Sequence, residues 1–327
     1  MTLPRIGITL GDPGGIGPEI VLKAFSGRFD LPEARYILFG SSRFLEREEK
    51  ALKLALPLHA GRACKRRGRR MLEIREVAAV PGAGKRGAAT PAGGRTSFRY
   101  FETAVAGARR GEIEAVVTAP ISKASWALAG VRWKGHTEYL SRFYPGAIMA
   151  FWSAPLKVAL LSHHVSLRKA LRRVKREALR DFFVALDRGL RGARPGGFEF
   201  VVSGLNPHAG EEGLLGREEI DEIGPAIKDA ERLGVRLAGP YPPDVVFRGA
   251  VGRENVIVIA LYHDQGLIPF KLLAFNTGVN VTLGLPFVRT SPDHGTAFDI
   301  AGRNRADPRS LVEAIGLAAA LVAPRGR

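Results

Sequence analysis

Three histidines, His164, His208 and His263, each follow within a few residues of an apolar run, at 156–161, 199–202 and 256–261. The last run is apolar at every position and rich in β-branched side chains. That is the pattern of a strand covered on both faces, as in a parallel sheet flanked by helices. In open α/β sheets ligands collect at the carboxyl ends of strands, so parallel strands would bring the three imidazoles to one edge. Three imidazoles with a fourth position open make a catalytic metal site. The separations along the chain carry no motif, and histidines at strand ends also serve as ordinary hydrogen-bonding residues. Both readings stand at this stage. His163 is expected to face the other side of the strand end, and His59 is given no role.

Other residues suit an anionic ligand. Lys271, Asn280 and Arg289 recur among glycines after His263. Lys134 to Leu140 puts His136 and Thr137 at a helix start, where free backbone amides and the helix dipole favour an anion, although such a pair also serves as a simple cap. Gly11-Asp12-Pro13-Gly14-Gly15-Ile16-Gly17-Pro18 is a glycine turn between a strand and a helix, with Pro18 suited to the first turn. Gly82 to Gly87 matches the dinucleotide fingerprint letter for letter, but residues 88–94 are not expected to open the helix that motif requires. It reads as a loop facing a ligand, with a helix from Ser97 to Arg110 behind it. Asp244, after Pro242-Pro243, reads as a turn residue.

The elements that must position these groups alternate in type. Strands are expected at 4–10, 35–39, 73–80, 115–118, 156–161, 199–202 and 256–261, and helices at 41–55, 97–110, 218–233 and 307–323. This alternation is that of an α/β protein.

The totals bound the class. The chain has 327 residues, 46% hydrophobic and 25% charged, enough for one large or two ordinary soluble domains. No apolar run reaches the ~20 residues of a membrane span, and the first residues lack the layout of a signal peptide. The single cysteine, Cys64, excludes an internal disulfide framework and a four-cysteine zinc site, and fits a reducing cytoplasm. The net charge of +17 raises nucleic-acid binding. Its densest stretches, Lys65 to Arg70 and Arg168 to Arg180, do not interleave aromatics with the charges. The second reads as an amphipathic helix with Leu171, Val174 and Ala178 on its apolar face and solvated arginines opposite.

Taken together, Gly11 to Glu19, Thr118 to Lys123, Gly135 to Glu138, Tyr262 to Gly266, Gly278 to Asn280, Leu283 to Phe287, Arg289 to Ser291 and Asp293 to Ala297 resemble the 4-hydroxythreonine-4-phosphate dehydrogenase family of pyridoxal-phosphate biosynthesis. The blocks occur in family order from residue 6 to about residue 320. The resemblance implies two α/β/α domains flanking a cleft, with mixed, mostly parallel sheets like those of isocitrate and isopropylmalate dehydrogenases. One domain would comprise residues 1–130 with about 295–327, the other about 131–294. It implies metal ligands at His164, His208 and His263, and substrate contacts at His136, Thr137, Lys271, Asn280 and Arg289. NAD or NADP would bind without a Rossmann fingerprint, and a divalent metal (zinc, magnesium or cobalt) would be required. The enzyme would be a cytoplasmic homodimer with its active site shared between subunits. Val165-Ser166-Leu167 departs from the family's usual Leu-Pro-Leu after the first ligand, beside the His163-His164 pair.

The implied reaction oxidises the secondary alcohol of 4-phosphooxy-L-threonine and then decarboxylates the product to 3-amino-2-oxopropyl phosphate. Lys271 and Asp244 are the candidates for moving the proton. Paralogues acting on 4-phospho-erythronate or 4-phospho-threonate share these residues and form the nearest alternative. A basic nucleic-acid-binding protein and an acyl-phosphate transferase are the rivals from other classes.

Overall fold

A computed structural model describes residues 3–54, 65–67, 70–79, 81–82, 85–191, 193–194 and 196–322. His59 and Cys64 lie outside them. The strands are β1 (Arg5–Thr9), β2 (Arg35–Gly40), β3 (Lys65–Arg67), β4 (Arg70–Glu76), β5 (Ala115–Thr118) and β6 (Ile148–Trp152), then β7 (Lys157–Leu160), β8 (Glu199–Ser203), β9 (Leu237–Tyr241), β10 (Val256–Ala260), β11 (Val279–Leu283) and β12 (Val288–Pro292). The α-helices are α1 (Gly17–Phe25), α2 (Ser42–Leu52), α3 (Pro91–Arg109), α4 (Lys123–Leu128), α5 (His136–Ser141) and α6 (Leu167–Leu171), then α7 (Arg176–Leu190), α8 (Gly224–Arg232), α9 (Val246–Ala250), α10 (His263–Ala274) and α11 (Arg309–Val322). No helix among the described residues is long and apolar enough to cross a membrane.

The chain forms two compact units, one up to Pro145 and again from Pro286, the other Gly146–Leu285. The sequence reading divided the chain near 130 and 295; the observed seams put His136, Thr137 and Arg289 in the first unit. Its strand order is β3-β4-β2-β1-β5-β12, with β3 antiparallel to β4 and the other pairs parallel. The second unit has the order β11-β6-β7-β10-β8-β9; β11, β6 and β7 pair antiparallel, and β7, β10, β8 and β9 pair parallel. Each unit is thus a mixed, mostly parallel α/β assembly. The central strands are the ones without polar alternation: β5 and β10 are buried at every residue. A strand flanked by two others and covered on both faces has no place for an exposed side chain.

Two local expectations are corrected. Residues 91–94 do open a helix: Thr90 caps α3, its Oγ1 accepting the Gly93 N–H at 2.9 Å, and Pro91 takes the first turn. The two glycines hid this start because they disfavour helix, yet contact requires them. A Cβ on Gly94 would stand 1.9 Å from the Ser125 carbonyl oxygen. Nor is Arg168 to Arg180 one helix. It divides into α6 and α7, and Leu171 and Ala178, expected inward, are exposed. The stripe that folds α7 inward is Leu179, Phe183, Leu186 and Leu190, a longer apolar repeat than the one first read. Cations at its start are held by carboxylates, Lys175 by Glu222 and Arg176 by Asp229, each at 2.6 Å.

Candidate active site

In the first unit, β5 ends at Thr118 and β12 runs parallel beside it, with Arg289 next to Val116. Arg289 is 3% exposed, and its Nη2 donates to Thr118 Oγ1 at 2.7 Å and to His136 Nδ1 at 3.0 Å. A guanidinium only donates, so Nδ1 of His136 accepts and the ring proton sits on Nε2. The ring is walled by Phe101 and Trp126, at 4.4 and 5.5 Å between centroids. Burial, reinforced by the charge of Arg289, holds the His136 imidazole well below its usual pKa, so it stays neutral. Its Nε2 is buried and has no hydrogen-bond partner in the protein. Burial also pulls Arg289 down to about 10, still cationic at neutral pH. A fixed cation and a neutral N–H donor therefore stand together where a sheet of this class binds anions.

The glycine turn after β1 packs beside this pair's sheet edge. Asp12 is fully buried, its Oδ1 accepting the Gly14 N–H at 2.9 Å, and burial pushes its carboxyl up. Gly14 and Gly15 let three segments touch. A Cβ at Gly14 would lie 2.7 Å from the Lys85 carbonyl oxygen, and one at Gly15 2.8 Å from that of Thr296. The backbone links Ile16 to Thr296 and Gly87 to Gly14, both at 2.9 Å. Residues 85–87, part of the stretch from Gly82 to Gly87 that the sequence marks as a ligand-facing loop, are thereby fastened to the glycine turn.

In the second unit, β7, β10 and β8 are adjacent and parallel, and His164, His263 and His208 follow their carboxyl ends. The rings of His164 and His263 stand 5.7 Å apart. Two imidazoles bound tetrahedrally to one ion at 2.0–2.1 Å have centroids roughly 5 Å apart, so this pair fits a shared cation. His263 opens α10, its Nδ1 2.6 Å from Asp264 Oδ1; His208 Nδ1 is 2.8 Å from Glu211 Oε2. A carboxylate on Nδ1 leaves Nε2 as the ligand atom, the usual outer shell of a metal-binding histidine. His164 and His208 both have positive φ, 47° and 52°. His208 begins a left-handed turn through Glu212, a backbone state that costs about 1–2 kcal/mol per non-glycine residue. Such strain concentrates at functional sites. Among the described residues, no three His, Cys, Asp or Glu side chains gather closely enough to hold an ion.

Two positioning residues had no role assigned from the sequence. Gln265, 8% exposed, accepts the Leu261 N–H at 2.7 Å and donates to the Gly204 carbonyl at 2.8 Å, tying the ends of β10 and β8. Glu219 accepts from the Leu205 and Asn206 amides at 2.7 and 2.8 Å and braces the turn that carries His208. Gln265 lay inside a quoted motif, so its position was visible although its bonds were not; Glu219 gave no signal. Of the remaining candidates, Lys271 is exposed in the last turn of α10, Asn280 is half-buried in β11, Thr137 is half-buried in α5, and Asp244 is exposed in the turn before α9. His163 meets His164 edge-on at 5.2 Å, and burial, with the charge of His164, lowers it to about 4.

The family model for the pyridoxal phosphate biosynthetic protein PdxA matches residues 32–318. The chain belongs to this family. A PdxA relative from Aquifex aeolicus (strain VF5), named 4-hydroxythreonine-4-phosphate dehydrogenase, is 40% identical over 325 residues, covering 96% of this chain and 97% of its own. The crystal structure of the 4-hydroxythreonine-4-phosphate dehydrogenase from Klebsiella pneumoniae superposes with a TM-score of 0.85 at 36% identity, covering 98% of each chain. A relative from Oceanobacillus iheyensis, named provisionally as a D-threonate 4-phosphate dehydrogenase, is 36% identical over 95% of this chain and 96% of its own.

Proposed function

We propose that this PdxA-family enzyme oxidises 4-phosphooxy-L-threonine with NAD or NADP and decarboxylates the product to 3-amino-2-oxopropyl phosphate, in pyridoxal 5′-phosphate biosynthesis. The observation that carries this reading is the buried Arg289–His136 pair beside Thr118, the last residue of β5, in a chain that shares full length with the named dehydrogenases. Arg289 offers charge to an anionic group of the substrate, and His136 offers its Nε2–H to a second oxygen without competing for a proton. Thr137, Lys271 and Asn280 complete the substrate contacts, and Lys271 and Asp244 are the proposed proton carriers. His164, His208 and His263 hold a divalent cation (zinc, magnesium or cobalt) through neutral imidazoles. When bound, that ion supplies Lewis acidity for removal of the alcohol proton and for the negative charge left as carbon dioxide departs.

The ligand set closes in a homodimer. The supporting feature is α10, which begins at His263 and exposes Ile268, Leu272 and Phe275 at helical spacing, the last two at 81% and 74%. An apolar stripe of this kind on a polar surface marks an interface.

The second reading, oxidation of D-threonate 4-phosphate, is favoured by the Oceanobacillus relative. The two differ in whether the substrate carries an amino or a hydroxyl group, so the test is formation of reduced dinucleotide from each. The first reading expects kcat/KM at least about tenfold higher for 4-phosphooxy-L-threonine, a margin worth about 1.4 kcal/mol. Equal or inverted values select the second.

A further inference from the structure

Helix α5 carries His136 and Thr137, yet it has only six residues, and Gly135 before it has no side chain to cap it. A helix that short does not hold itself in water, where about 12–15 residues are needed for even marginal stability. The direction in which His136 presents its Nε2–H is therefore set by what α5 packs against. Its buried residues are His136, Tyr139 and Leu140. His136 and Tyr139 are three residues apart and so share a face of the helix.

Tyr139 is 6% exposed and sits in a socket supplied by one face of α3. Phe98, Phe101 and Glu102 recur there at i, i+3 and i+4. The two rings meet Tyr139 edge-on, at 5.6 and 5.2 Å between centroids, and the Tyr139 hydroxyl donates to Glu102 Oε1 at 3.4 Å. Edge-to-face packing is a favoured arrangement of aromatic rings, and it fixes tilt as well as position. Phe101 is shared, because its ring also touches His136, at 4.4 Å. Trp133 and Phe143, just before and after α5, meet Tyr139 at 5.9 and 5.6 Å. Each carries a guanidinium on its face, Arg132 at 4.2 Å and Arg109 at 4.1 Å. The socket has a firm reference: α3 runs for 19 residues and meets α4 closely at Gly94.

We propose that Tyr139 is a positioning residue: it anchors α5 in the aromatic socket of α3 and thereby aims the His136 Nε2–H at the anion that Arg289 attracts. The assignment rests on the reading of Arg289 and His136 as the anion site of the substrate. The two neighbours of His136 divide the work. Arg289 fixes which ring nitrogen holds the proton, and Tyr139 fixes where that nitrogen points. Neither the Tyr139 ring nor its hydroxyl takes part in the redox step, so its contribution is to affinity.

The test follows His136 itself. The full-length protein, carrying isotope-labelled histidine, is titrated with inorganic phosphate and observed by nuclear magnetic resonance, the His136 signal being identified by its loss in His136→Gln. The wild type should show a neutral ring with its proton on Nε2, shifting as phosphate binds. Tyr139→Leu keeps an apolar side chain but removes the edge-on contacts, and it should need at least about tenfold more phosphate for the same shift. Tyr139→Phe keeps the ring and loses only the long hydroxyl bond, so it should stay within about threefold of the wild type. Phe98→Leu opens the socket and leaves Tyr139 in place; it should weaken phosphate binding in the same direction, and it carries the test if Tyr139→Leu does not fold. In turnover, Tyr139→Leu should raise KM for 4-phosphooxy-L-threonine, and combining it with His136→Gln should give the KM of His136→Gln alone within about twofold, because the tyrosine acts only through the histidine. Unchanged phosphate binding in Tyr139→Leu and Phe98→Leu overturns the proposal. So does a loss as large in Tyr139→Phe as in Tyr139→Leu, an additive double variant, or a wild-type His136 ring indifferent to phosphate. Tyr139-dependent phosphate binding in a protein that oxidises neither phosphorylated substrate would leave the positioning role standing and sink the substrate reading alone.

Discussion

Arg289 and His136 define the chemistry at the scale of single residues. Burial costs the guanidinium enough to pull it down to about 10, so its charge is retained for binding rather than for stability. Arg289→Met should raise KM for the phosphorylated substrate at least about tenfold while the melting temperature holds or rises, because a similar apolar volume replaces a desolvated cation. A variant that melts much earlier with an unchanged KM would make Arg289 structural. His136 and His163 carry the pH dependence. Both are held below the ordinary histidine value, His163 at about 4, so between that value and about 6.5 the unfolded chain binds protons the folded chain does not. Their stabilisation is therefore complete above about pH 6.5 and declines as pH falls below it. Urea unfolding from pH 7 to pH 4 should show that decline, and His136→Gln should flatten it; an unchanged slope would contradict the neutral buried ring. These histidines were legible in the sequence as types and positions. Their protonation was not, since it depends on Phe101, Trp126 and Arg289 arriving from distant segments.

The elements show where local propensity was enough and where it was outweighed. Largely apolar runs marked β5, β7, β8 and β10 because strands covered on both faces have no polar face to alternate. From those runs the three strand-end histidines followed, and the sheet order placed their strands side by side. The start of α3 was hidden by Gly93-Gly94, whose small size serves contact rather than the helix itself, Gly93 with Asp12 and Gly94 with α4. Gly94→Ala therefore has a definite sign. Helix propensity alone favours alanine by about 1 kcal/mol, but a Cβ 1.9 Å from the Ser125 carbonyl forces α3 and α4 apart. The variant should be less stable by roughly 1–3 kcal/mol in denaturant unfolding; a more stable protein would refute the packing argument. The left-handed turn at His208 was equally hidden, because nothing in residues 207–212 prescribes four non-glycine residues, His208, Ala209, Glu211 and Glu212, at positive φ. It persists because Glu219 accepts the Leu205 and Asn206 amides and so fixes the entry to the turn.

At the scale of the whole molecule, the α/β class was readable from the alternation of runs and the two units from the family resemblance, while the first seam lies fifteen residues later, where helix α5 packs with the first unit's aromatics, and the second nine residues earlier. The charge of +17 is dispersed: at the start of α7 it is tied into ion pairs, and at α2 it lines a cavity. That distribution suits an anionic substrate and cofactor better than a nucleic-acid track. The exposed stripe on α10 makes assembly part of the account. Leu272→Glu should convert a dimer to monomers in light scattering and abolish turnover, with the circular dichroism of the fold intact. Monomeric wild type with full activity would remove the second subunit from the mechanism.

The proposed enzyme couples dinucleotide reduction to loss of carbon dioxide from a phosphorylated hydroxy acid beside a histidine-bound cation. Its most direct test is simultaneous measurement of reduced dinucleotide and carbon dioxide from carboxyl-labelled 4-phosphooxy-L-threonine, before and after chelation. Equal yields of the two products, both lost on chelation and both restored by a divalent metal, are predicted. Reduced dinucleotide without carbon dioxide, or equal yields indifferent to the chelator, would contradict it.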